Sequence, residues 1–207
     1  MTDRIRSPRL SVSANPFIMT TSIVPPSTGP ITLIDPSRDT ADISTQDLSL
    51  QFPHFTAEDA WALGSLLRAR LLHYPNPAVV NIALANSNQL LFHAVTHSGT
   101  APDNDNWVSR KRKTVLRWGN STWFMHNKFA GDEAAFSAKY MLGSTAGEYA
   151  IHGGGWPVRV RGVEGVIAVI VVSGLKQHED HQMVVQTVSD YLESIGAVAE
   201  GEKRKED

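Results

Sequence analysis

Seven consecutive apolar residues, Val166 to Val172, constrain this fold more than any other stretch. The run is bounded by Gly165 and by Ser173-Gly174. It predicts a central strand covered on both faces. Just upstream the pattern alternates, with Trp156, Val158 and Val160 on one face and Arg159 and Arg161 on the other. Gly162 to Gly165 has glycine at both ends and folds the two strands into a hairpin. Gly153, Gly154 and Gly155 open that hairpin and, lacking Cβ atoms, let other groups approach the main chain. With Arg159 and Arg161 alongside, this hinge predicts an anion-binding corner. The alternative is that the glycines only turn the chain and the arginines only wet a sheet face.

The rest of the chain reads as cover for that hairpin. Thr56 caps a helix with Glu58 and Asp59 in its first turn. Its apolar stripe is Ala60, Leu63, Leu67, Leu71 and Tyr74, and Pro75 stops it. Val79 to Ala85 and Gln89 to Thr96 form another hairpin around Asn86-Ser87-Asn88. Residues 98–106 predict a surface loop, and Trp107 to Trp118 a helix with Val108, Val115 and Trp118 apolar. Arg110, Lys113 and Arg117 share a face of that helix. Residues 120–128 are ambiguous. Gly131 to Leu142 predicts a helix with Ala135, Phe136 and Tyr140 inward, and residues 143–147 a loop. A last helix carries Val184, Val185, Val188, Leu192 and Ile195 and is closed by Gly196. The fold class is therefore α/β: an antiparallel sheet built from hairpins, with helices on its faces. Residues 1–45, rich in Ser, Thr and Pro, predict a disordered arm in which Ile31 to Ile34 is the one candidate edge strand. Residues 46–196 form a single domain, and 197–207 a charged flexible tail.

Composition narrows the function classes. A formal charge of −2 gives no reason to expect nucleic-acid binding. With no cysteine there is no disulfide, thiolate nucleophile or cysteine metal site, which fits a cytoplasmic protein. No apolar run reaches membrane-span length, so no membrane insertion is expected. Arg4, Arg6 and Arg9 among Ser and Thr resemble a transit peptide, but Asp3 and the lack of an amphipathic stripe argue against one. The string His152-Gly153-Gly154-Gly155 resembles an esterase oxyanion loop, yet no serine downstream sits in a G-x-S-x-G frame.

His152 is either an acid/base or iron ligand, or a turn residue donating to a carbonyl. His178 and His181, three apart, are weak metal candidates with no third ligand at helical spacing. Arg110 and Arg117 bind an anionic group or simply line a solvated helix face. The convergence of Arg117, Arg159, Arg161 and the hinge amides would mark a ligand site.

Three stretches also resemble a known family: Phe92 to Trp107 (F-H-A-V-T-H-S-G-T-A-P-D-N-D-N-W), Arg110 to Thr122 (R-K-R-K-T-V-L-R-W-G-N-S-T), and His152 to Val163 together with Val172 to His181. In that order they resemble the haem-degrading-domain family, in its uncharacterised branch of bacteria and fungi, over residues 47–195. The resemblance implies an α/β sandwich that assembles into homo-oligomers. It also implies a vocabulary of haem binding, haem breakdown or small-molecule handling. One fungal relative is associated with delivery of tail-anchored membrane proteins, which offers a non-catalytic assembly role instead.

Overall fold

The computed structural model describes residues 25–197, and expectations for residues 1–24 and 198–207 lie outside the described residues. Four strands, β1 (Val79–Leu84), β2 (Leu90–Val95), β3 (Gly155–Val158) and β4 (Ala168–Ser173), form one antiparallel sheet in the order β2-β1-β4-β3. Both expected hairpins are present, and the apolar run supplies a central strand whose residues 168–173 are all buried. The run enters the strand two residues late. Ile167 N–H still donates to Val158 O at 2.9 Å, but the connection from β3 is longer than a four-residue turn. Phe52 extends the β3 edge through a bridge to Val160, which aligns Val160 with Trp156 and Val158 against the same core.

Helices α2 (Ala57–Leu71) and α6 (Gln177–Ser194) cover one face of the sheet. Thr56 accepts from Asp59 N–H while Asp59 accepts from Thr56 N–H, a reciprocal cap that starts α2 where expected. Leu63, Leu67 and Leu71 are fully buried beneath it, each contributing about 1.5–3 kcal/mol of transfer free energy. The other face is covered by α3 (Pro102–Trp118), whose Val108 and Val115 meet Val79, Val169 and Val171. Helix α3 begins five residues before the expected Trp107. Pro102 opens it, and Asn104 Oδ1 accepts from Ala101 N–H at 2.8 Å.

The ambiguous stretch after α3 is α4 (Thr122–Lys128), capped by the Ser121 hydroxyl. It is followed by α5 (Glu133–Lys139) and a 3₁₀ segment over Gly143–Glu148, where a loop was expected. Phe136 points inward as predicted, but Ala135 is exposed, because α5 is two turns long and only one side of it meets the domain.

The expected arm boundary at 45 falls inside a helix, α1 (Thr40–Ser49), which is ordered against the domain. Asp39 caps it, Ile43 is buried, and Asp47 Oδ1 accepts from the Trp156 indole at 2.9 Å. Trp123 Nε1 donates to Ser37 O at 2.9 Å. Burial pushes the Asp47 carboxyl up to about 6, opposed by hydrogen bonding from Ser121 and Trp156. Ile31 to Ile34 is not a strand edge. Instead Gln186 holds it with both ends of its amide, at Ile34 N and Thr32 O.

Candidate functional site

The glycine hinge is packed solid. Gly153 N–H donates to Gln177 Oε1 at 3.3 Å and Gly155 N–H to Thr122 Oγ1 at 2.9 Å. Gly154 sits at φ +113 with its carbonyl accepting from Val172 N–H. A Cβ on Gly153 would lie 2.2 Å from Gln177 O, and one on Gly154 2.3 Å from Val172 O. All three glycines are buried, and their smallness serves layer packing.

The arginines do not gather there. Arg110 donates twice to Tyr149 O and lies 4.5 Å over the Trp107 ring. Arg117 reaches Tyr149 Oη at 2.9 Å, so these two do share a helix face as predicted. Arg159 bonds Gly119 O and Gly165 O and borders a separate cavity of about 480 Å³ beside Leu116 and Asn86. Arg161 donates to Ala197 O. The reason is local: Arg110, Arg159 and Arg161 each sit beside carbonyls left over at a helix end or turn and take those, while Arg117 takes the Tyr149 hydroxyl.

His152 lines a different cleft. Trp107 on α3, His152 before the hinge, and the β4–α6 loop around Ser173 enclose about 270 Å³. The His152 ring meets Trp107 edge-to-face at 4.9 Å. Its Nδ1 lies 3.3 Å from Glu133 Oε1, close but without hydrogen-bond geometry. Burial lowers its pKa, helped by Lys111 and Arg110 and opposed by Glu133. The ring is therefore neutral at pH 7, with a lone pair available.

Beneath the cleft lies a buried ion pair that sequence reading missed. Lys111 Nζ sits 3.0 Å from Asp180 Oδ2 and 3.0 Å from Val172 O, and both side chains are 3% exposed. Asp180 also accepts from Leu175 N–H at 3.0 Å and Gly174 N–H at 3.4 Å. Burial raises the Asp180 carboxyl, while the Lys111 ammonium and these amides pull it back. One signal was available: Val108, Lys111 and Val115 fall on a single helical stripe, so this lysine alone of its basic run faces the sheet.

His178 and His181 do not share a site. His181 is fully buried against Trp123, with both ring nitrogens unpartnered and its pKa pushed down to about 3 by burial. Among the described residues no group of three His, Cys, Asp or Glu is placed to hold a metal ion.

A family model described as "Haem degrading protein HbpS-like" matches residues 55–189. The chain belongs to the HbpS-like family. Within it, the UPF0303 protein SCO2848 of Streptomyces coelicolor is 41% identical over 152 residues, covering 73% of this chain and 92% of that one. A UPF0303 protein of Psychromonas ingrahamii is 36% identical over 154 residues, covering 74% and 93%. The crystal structure of the Ybr137w protein superposes with a TM-score of 0.70 at 34% identity, covering 76% of this chain and 90% of that one. HbpS itself matches at a TM-score of 0.51 and 20% identity, covering 69% and 92%, which shows a shared HbpS-like fold. No helix among the described residues is long and apolar enough to cross a membrane.

Proposed function

We propose that this HbpS-like chain binds a small planar anionic molecule at the Trp107–His152 cleft, haem being the group its family implies. The observation that supports this is His152: a half-buried neutral imidazole with a carboxylate against Nδ1, and Nε2 without a protein partner among the described residues. Ligating histidines commonly have a carboxylate at the second nitrogen. Haem would be held by His152, and its iron would supply redox chemistry that no side chain here has. At about 270 Å³ the cleft is smaller than the pockets that bury a whole drug-sized ligand, so a porphyrin would be only partly covered there.

Haemin titrated into the purified protein is expected to give a saturable Soret shift, lost in His152→Ala. The sign of its pH dependence follows from the lowered pKa. Binding persists below the ordinary histidine range and is lost only as pH falls through the depressed value and the imidazole protonates. A wild-type spectrum that never shifts, or that His152→Ala leaves unchanged, overturns iron ligation by this residue.

A second reading, an assembly protein of the kind that delivers tail-anchored membrane proteins, has one observation in its favour. Trp61, Leu72, Leu90 and Val95 stay exposed around the open edge of β2, and Trp61 is 67% exposed. Unpaired strand edges with apolar neighbours are pairing surfaces. If that face joins copies into a homo-oligomer, Trp61→Glu should reduce the sedimentation coefficient to that of a single chain. An unchanged coefficient removes this face from assembly.

A further inference from the structure

We infer that the floor of the Trp107 cleft is a carboxylate-binding subsite, made by the third N–H of Lys111, the Ser173 hydroxyl and the Asn104 amide. The inference rests on the cleft being the binding site, as above, but not on iron ligation by His152.

The case is one of unequal hydrogen-bond supply. Lys111 carries three N–H donors and uses two, on Val172 O and Asp180. Asp180, the acidic residue lining the cleft, has both oxygens taken by Lys111, Leu175 N–H and Gly174 N–H. Asn104 spends its carbonyl oxygen on Ala101 N–H, leaving its NH₂ without a partner among the described residues. Ser173 is buried at 7% exposure at the end of β4, on the α3 side of the sheet, and its hydroxyl bonds no other described group. Trp107 Nε1, also lining the cleft, has no acceptor among the described residues. Among the described residues the cleft therefore holds more unspent donors than unspent acceptors, the latter being a ring nitrogen of His152, the Ser173 oxygen and a second lone pair on Asp180 Oδ1.

Such a site favours a ligand that brings acceptors. The Lys111 ammonium, buried at 3% exposure, makes a charged acceptor better than a neutral one, because charge-assisted hydrogen bonds are about twice as strong. Trp107 and Leu175 supply apolar walls, so the rest of the ligand is small and planar. The ligand class is a small aromatic carboxylate, either free or as the edge of a larger molecule.

Benzoate and benzamide are the probes, read by backbone-amide and indole NMR shifts of the whole chain. Benzoate is expected to shift Leu175, Gln177 and the Trp107 indole saturably, with benzamide at least about tenfold weaker. Ser173→Ala and Trp107→Leu should each weaken benzoate several-fold. Both are mild changes that keep the Lys111–Asp180 pair, so a folded spectrum is retained. Equal binding of the two probes, saturable shifts only elsewhere, or shifts unaffected by either variant overturn the subsite. Haemin separates the two readings. A Soret shift without any benzoate response sinks the carboxylate subsite and leaves iron ligation. Benzoate shifts without a Soret change support the subsite and sink the haem reading.

Discussion

Lys111→Met is expected to lower the unfolding free energy by about 3–5 kcal/mol, the cost of stranding a buried partner without its counterion. The partner is Asp180, 3.0 Å away and 2% exposed. Its remaining contacts are two main-chain N–H groups, which do not neutralise a charge. The double variant Lys111→Met/Asp180→Asn should lose less than the single one, because an asparagine oxygen still accepts from Leu175 N–H and no charge is left behind. Urea unfolding followed by far-ultraviolet circular dichroism measures both. A single variant within about 1 kcal/mol of the parent would mean that water reaches the pair and that the cleft floor is wet.

Gly154→Ala should be at least as severe, with a loss of more than about 4 kcal/mol or failure to fold. Two costs add at this position. The residue sits at φ +113, and its Cβ would lie 2.3 Å from Val172 O and 2.9 Å from Lys111 Nζ. The Val172 carbonyl lies in the central strand and cannot retreat without breaking sheet pairing. Gly162→Ala separates the two costs. It also has positive φ, +73, but a Cβ there meets nothing within 4 Å. It should lose only the conformational part, about 1–2 kcal/mol. Similar midpoints for the two variants would show that crowding at the hinge is not what demands glycine.

The parts of this fold written in local pattern were legible from residues alone. The run from Val166 to Val172, the stripe from Ala60 to Leu71 and the cap at Thr56 each use one period or one short motif. Elements fixed by distant partners were not. Helix α1 has one fully buried apolar residue, Ile43, and holds its place through Trp156 and Trp123, more than eighty residues away. The true start of α3 depends on Asn104 turning back on Ala101, without any apolar period. The packing around the hinge was illegible for the same reason. Three glycines and nearby arginines look alike whether they face a ligand or a neighbouring layer, and only the positions of Gln177 O, Val172 O and Thr122 decide it. His152 entered the expected site because it neighbours the glycines. Lys111 and Asp180 lie 69 positions apart and share no motif.

The anchoring of α1 has a consequence for where the molecule begins. The family match starts at residue 55, yet the indole nitrogens of two of the largest core side chains donate to Ser37 and Asp47. A chain started at the family border would leave both nitrogens in the interior with nothing to accept their hydrogens. The stretch matched by the family model and the stretch that completes this core are therefore different lengths, and the second includes residues that composition alone assigns to a disordered arm.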